Sequence, residues 1–213
     1  MIPVSGVVLG VDERWQIIDR ERAGLAELLA SLGPDEWELP TQCGDWRVRD
    51  VAAHLTIAPR ITYGTAVREF VRARGNLDGM IHDTAVRAAE RPVAEIVSNL
   101  RSVIGSRRLA PGTTRREPLL DILVHGQDIA LALGRERTMP AEAARDAADR
   151  VWTMRFPPRP WPLPRHRLVA TDVEWTRGEG EEISGPIFAL LLLLTGRTAA
   201  ALPRLNGALA RDE

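Results

Sequence analysis

Three side chains in two short segments have the chemistry and the spacing to hold a divalent metal ion. In the segment DWRVRDVAAHL, residues 45–55, His54 interrupts an otherwise apolar helical face. In LLDILVHGQDIALALG, residues 119–134, Asp121 and His125 stand four positions apart. That spacing puts two side chains on one helix face with Cβ atoms about 5–6 Å apart. Two imidazoles and a carboxylate give three protein ligands and leave a fourth position open, the arrangement of zinc sites that do chemistry rather than hold a fold together. Asp128 continues the same stripe, and it and Gln127 are candidates either to orient a ligand from behind or to cap local backbone.

The Asp121–His125 spacing alone is weak evidence, because four histidines and 29 acidic residues in 213 positions make one such coincidence about an even chance. Its surroundings carry more weight. Leu119, Leu120, Ile122, Leu123 and Val124 flank Asp121 and leave no obvious solvent face for a carboxylate. An unpaired buried charge is costly, so the site must supply a cation or a strong donor. The plain alternative is a buried Asp–His hydrogen-bonded pair, with His54 an ordinary core histidine. For this donor set zinc is the default ion. No HExxH motif and no paired ExxH motif is present, which argues against a zincin protease and a di-iron bundle.

Composition narrows the function classes. Hydrophobic residues make up 45% and charged residues 27% of the chain, an ordinary globular balance, and the net charge of −1 gives no global attraction to nucleic acid or an anionic membrane. The basic pairs Arg107-Arg108 and Arg115-Arg116 lack interleaved aromatics and read as a solvated face. One cysteine, Cys43, excludes an internal disulfide and fits a reducing, cytoplasmic setting. With no histidine or basic neighbour in sequence, Cys43 reads as a structural thiol. The start of the chain lacks a basic leader and is not read as a signal peptide, and the apolar run 187–194 is too short for a bilayer. All 28 basic residues are arginine, so no lysine Schiff base or lysine general base is available.

Helices must position the three donors. Periodicity predicts a first helix over residues 12–32, stopped by Gly33-Pro34. A loop follows with Trp37, Pro40 and Cys43. A second helix begins after Asp45 as N-cap and kinks at Pro59, with Val48, Val51, His54, Leu55 and Ile61 inward. Residues 75–91 look polar and irregular, with one short helix. Further helices are expected over 92–106, from Pro118 to just before Gly134, and over 140–156. Residues 157–165 hold five prolines and read as a stiff linker. Beyond it, Val169, Thr171, Val173 and Trp175 alternate as a strand, Gly178 and Gly180 turn toward a second strand, and an apolar helix to Leu194 precedes a last short helix. The expected organisation is a helical bundle over 1–158 and a small α+β domain over 159–213. Trp37 and Trp46 are expected to pack the loop on the bundle end, Trp46 also as a pocket wall; His82 and His166 read as surface residues.

The segments WELPTQCGDWRVRDVAAHL and LLDILVHGQDIALALG resemble the N-terminal bundle of the mycothiol-dependent maleylpyruvate isomerase family, within the DinB-like superfamily. The tail VATDVEWTRGEGEEISGPIFALLLLLTGR is similar to that family's C-terminal appendage, so the likeness spans nearly the whole chain. It implies a mainly α fold, a DinB-like antiparallel four-helix bundle with a small C-terminal α+β appendage. It also implies a divalent ion, usually zinc, on His54, Asp121 and His125, with mycothiol as thiol co-substrate. The isomerase carries a glutamate where this chain has the shorter Asp121. Arg197, in the Gly-Arg step after the apolar helix, resembles a family arginine that assists catalysis; a surface ion pair at a helix end is its plain alternative.

A thiol is mostly protonated at neutral pH, and a bound divalent cation deprotonates it. The expected activity is thiolate addition to an electrophilic small molecule, ending in cis–trans isomerisation or S-transfer. Two other readings stay open: a non-catalytic module that binds a metal or small ligand, and a thiol-independent metal hydrolase. The expected partners are a small-molecule substrate and the thiol, with no nucleic acid and no membrane. The electrophile and the oligomeric state are left open.

Overall fold

The structure is a computed structural model that describes residues 9–154 and 165–207. The chain divides into two compact units, one of residues 15–137 and one of residues 1–14 with 138–213. The fold is mainly α, as expected. Among the described residues the α-helices are α1 (Val11–Ala30), α2 (Val48–Ile57), α3 (Tyr63–Arg72), α4 (Leu77–Ala89), α5 (Val93–Ser102), α6 (Glu117–Ala132), α7 (Ala141–Thr153), α8 (Ile187–Leu194) and α9 (Thr198–Ala201). Four short strands complete it: β1 (His166–Ala170), β2 (Thr176–Arg177), β3 (Glu181–Gly185) and β4 (Asn206–Gly207). No described helix is long and apolar enough to cross a membrane.

In the unit of residues 15–137, α2 is the central element and packs on α4, α5 and α6. Its residues Val48, Val51, Ala52 and Leu55 are buried. The helix starts at Val48 rather than just after Asp45, because the Asp50 carboxylate accepts the Arg47 backbone N–H at 2.9 Å and also takes the Arg47 guanidinium. That reciprocal half of a capping box satisfies a donor that the first turn leaves without a helical partner. At the other end Pro59 breaks the helix instead of kinking it. α2 stops at Ile57, and α3 begins afresh with Thr62 as N-cap, its hydroxyl accepting from the Thr65 N–H. Proline offers no N–H and crowds the preceding turn, and no further packing carries the helix through.

The stretch expected to be largely irregular is the thirteen-residue α4. Its inner side is made of Ala85 and Ala89, both fully buried, so it lacks the bulky apolar stripe that periodicity detects. Small side chains let α2 and α4 pack closely. Helix α6 matches expectation, with Pro118 in the first turn and Gly134 beyond the end at φ +61°.

The second unit carries a four-stranded sheet in the order β2-β1-β3-β4, with β1 and β3 parallel and the outer pairings antiparallel. Its first strand ends at Ala170, where the Ala170 N–H donates to the Trp175 carbonyl and closes a turn, so Thr171 and Val173 do not extend it. The inward side chains are Leu168 and His166, and His166 is therefore buried rather than a surface residue. After β2 the chain crosses the start of β1 at Gly178 and Gly180, both with positive φ. A Cβ at Gly180 would lie 2.0 Å from the Arg165 carbonyl oxygen, so only glycine allows that approach. Helix α8 is buried nearly all round and packs on α7, β1 and β3; the Asp172 carboxylate accepts the Ile187 N–H at its start. Arg14 forks onto the Asp146 carboxylate at 2.7 and 3.1 Å, tying the start of α1 to α7. The proline-rich linker, residues 157–165, lies outside the described residues apart from Arg165.

Asp50→Ala removes the cap and the part-buried ion pair with Arg47 at the start of α2 together. The expected loss is about 1–2 kcal/mol of folding stability, read as a lower midpoint in thermal denaturation.

Candidate functional site

Helices α2 and α6 pack against each other and bring His54 together with Asp121 and His125. Each of the three offers one donor atom, and these atoms lie within 4.8 Å of one another. His54 Nε2 stands 3.3 Å from Asp121 Oδ1, and His125 Nε2 stands 3.5 Å from the same oxygen. The two rings meet edge to face, with centroids 4.9 Å apart at 74°. Two ligands each about 2.1 Å from a tetrahedral zinc ion are separated by about 3.4 Å, which the two imidazole–carboxylate separations match. The shorter Asp121 carboxylate meets both imidazoles on this backbone.

The cluster is more open than the apolar flanks of Asp121 suggested. Side-chain exposure is 30% for Asp121, 15% for His54 and 13% for His125. Leu119, Ile122, Leu123 and Val124 are buried as expected, but the carboxylate keeps contact with solvent. Burial acts to raise its pKa. The positive charge and hydrogen bond of His54, the charge of His125 and the charge of Arg22 outweigh that, and the carboxyl is held below its usual value. A second carboxylate acts from behind: Asp128 is fully buried, and its Oδ2 lies 2.9 Å from His125 Nδ1. That contact favours the tautomer with the proton on Nδ1 and leaves the Nε2 lone pair, on the side of Asp121 and His54, available to a metal ion.

The loop before α2 supplies the wall. Thr41 takes the Trp46 carbonyl with both its N–H and its hydroxyl, and Val48 N–H donates to the Leu39 carbonyl, so the loop folds back on itself. This places the Trp46 ring 5.0 Å from His54, 5.9 Å from His125 and, stacked, 6.4 Å from the exposed His82. Trp46 is buried, and its Nε1–H has no acceptor among the described residues. Trp37 is buried as well.

Two residues near the cluster were not legible from sequence. Cys43 Sγ, His125 and Asp128 form a second group of donors within 4.8 Å of one another, so tertiary folding provides the histidine neighbour that Cys43 lacks in sequence. Arg22, on α1, is a buried guanidinium that donates to the carbonyls of Val103 and Ser106, and its charge acts on Asp121. Its place on a helix otherwise read for its apolar stripe gave no signal. Gln127 stands apart from the cluster, since its amide donates to the Arg137 carbonyl at 2.6 Å and ties down the chain after α6. Arg197 belongs to the other unit, at the N-cap of α9, where its guanidinium donates to the Thr195 carbonyl at 2.6 Å.

A mainly helical chain with two imidazoles and a carboxylate gathered between two packed helices defines a class of candidate metal proteins. The sequence pattern of one family, described as the mycothiol maleylpyruvate isomerase N-terminal domain, matches residues 18–130, and the chain belongs to that family. Two solved structures share the fold. One is the crystal structure of the mycothiol-dependent maleylpyruvate isomerase, 10% identical, covering 96% of this chain and 95% of that one with a TM-score of 0.65. The other is a histidine-to-alanine mutant of the mycothiol-dependent maleylpyruvate isomerase, with the same identity and coverage and a TM-score of 0.55. Comparison with curated proteins finds no match.

In the metal-free protein, His54→Gln removes the largest influence that lowers the Asp121 pKa. The Asp121 carboxyl, followed by carbon NMR, is expected to titrate at a higher pH in the variant than in the native chain. The sign also fixes the stability effect. A depressed carboxyl stabilises the fold above its unfolded pKa of about 3.9, and that stabilisation is lost as pH falls through the folded value.

Proposed function

We propose that the chain is a divalent-metal-dependent enzyme that activates mycothiol, or a closely similar low-molecular-weight thiol, for addition to an electrophilic small molecule. The observation that carries this reading is the approach of His54 and His125 to one Asp121 oxygen at 3.3 and 3.5 Å, in a chain of this family. His54, Asp121 and His125 would hold the ion, with zinc best matched to the donors. When bound, the ion supplies the positive charge that lowers the pKa of a thiol into the neutral range.

The protein's own residues do the remaining work. Asp128 keeps the His125 ring in the orientation that presents Nε2. The Trp46 ring covers both imidazoles and limits water on that side. The part-exposed Asp121 edge leaves room for a thiol to enter. Addition of the thiolate to an activated double bond turns it into a single bond that can rotate. Expulsion of the thiolate, with the electron pair returning to sulfur, then gives the isomer; uptake of a proton from water at the adjacent carbanion instead retains the adduct and gives S-transfer. Isomerisation is the reading that family membership favours. Support for Arg197 as the guanidinium that takes a substrate carboxylate is the resemblance of its Gly-Arg step, together with the bidentate fit of guanidinium to carboxylate.

Elemental analysis of purified protein tests the ligand set: His54→Ala and His125→Ala are expected to lose stoichiometric metal. Asp128→Asn is expected to keep the site but to weaken metal affinity about 10–100-fold in a chelator competition. Metal-loaded protein with mycothiol should convert maleylpyruvate, with no turnover when the thiol is omitted. Turnover without thiol would establish the hydrolase reading instead, and thiol binding without turnover of any electrophile would establish the binding module. Arg197→Lys is expected to lower kcat with metal content unchanged.

A further inference from the structure

A second concave site lies in the unit of residues 15–137, formed by α2, α3, α4, α5 and their connections, with a cavity volume of about 430 Å³. Four arginines line it, Arg60, Arg68, Arg87 and Arg91, against a single lining carboxylate, Glu69. Glu69 is buried at 8% side-chain exposure and serves two of them, accepting from Arg68 at 3.2 Å and from Arg87 at 2.5 Å. Arg91 pairs with Glu95 outside the lining. The Arg60 guanidinium makes no hydrogen bond or ion pair with another described residue, and neither does the side-chain amide of Asn99, which also lines the cavity.

Such a set of charges is unbalanced. One carboxylate cannot neutralise Arg68 and Arg87 together, and Arg60 adds a further positive charge. Like charges that line one concavity repel one another and favour an anion among them. The buried Glu69 accepts one hydrogen bond from each of Arg68 and Arg87 and tethers two otherwise solvent-facing guanidiniums beside the cavity, which lowers the ordering cost of receiving an anion. The floor between the charges is apolar, with Ile57 and Ile96 among the lining residues, and the volume lies in the range of small-molecule pockets.

We propose that this cavity binds a small organic oxyanion, a carboxylate or phosphate group carried on a compact body. Arg60 and Asn99 are its free donors, and Arg68 and Arg87 are its preorganised ones. The site is separate from the imidazole–carboxylate cluster. Both use α2, but the cavity is lined by Ala53, Thr56 and Ile57 of that helix and not by His54.

Isothermal titration calorimetry of the full chain with inorganic phosphate, and separately with succinate, tests the assignment. Saturable binding of at least one anion to one site is expected, and the arm that responds distinguishes phosphate from carboxylate ligands. Affinity should fall about tenfold or more in Arg60→Ala and again in Arg68→Ala, both exposed positions where the fold tolerates truncation. His54→Ala should bind the anion as the native chain does. Failure of both anions to bind saturably in the millimolar range overturns the proposal. So does an affinity unchanged in Arg60→Ala and Arg68→Ala, or binding that disappears in His54→Ala, which would place the anion at the imidazole cluster.

Discussion

Two imidazoles that approach the same carboxylate oxygen constrain nearly everything around them. His54, His125 and Arg22, from three different helices, act together to hold the Asp121 carboxyl below its usual value against the effect of burial. The arrangement then requires α1, α2 and α6 to stay in register, because a slip of one residue along α6 would rotate Asp121 and His125 off the shared face. Asp128 adds a further condition from below, since a fully buried carboxylate must keep its partner on His125. Short α2 meets the demand by being fixed at both ends, with the Asp50 cap at its start and the break at Pro59 after it.

The donor cluster was largely readable in the sequence because it follows from local rules. Asp121 and His125 share a face by helical spacing, and His54 marks itself by interrupting an apolar one. The depth of the cluster was not readable. Flanking leucines say which helix faces are apolar, but solvent access to Asp121 depends on how α2 and α6 leave a gap between them. The proximity of Cys43 to His125 and the electrostatic reach of Arg22 depend on tertiary contacts across many residues, and no spacing rule reports those.

The elements that depart from the sequence pattern do so for similar reasons. A helix whose buried side is alanine gives almost no hydrophobic period, which hid most of α4. In β1 the alternation of Val169, Thr171 and Val173 was genuine in sequence, but the strand stops at Ala170 and buries the opposite set, Leu168 and His166. The N-cap of α2 differs from the expected one for another reason. Asp45 is a good capping residue by type, yet Asp50 reaches back to the Arg47 N–H and starts the helix two residues later than Asp45 would. Local propensity offered two starts, and the buried carboxylate with its guanidinium partner decided between them.

The Arg14–Asp146 fork joins side chains 132 positions apart, and it belongs to a unit whose first strand of sequence is separated from the rest by the whole of residues 15–137. During synthesis the intervening stretch is complete while Asp146 is still unmade, so it can collapse and bury its own helices before its neighbour has a core. The late unit then waits for α8, whose leucines are the last large apolar block to emerge. Birth order on the ribosome therefore favours the half that gathers His54, Asp121 and His125, and a chain truncated ahead of α8 would lack the central packing element of the later half.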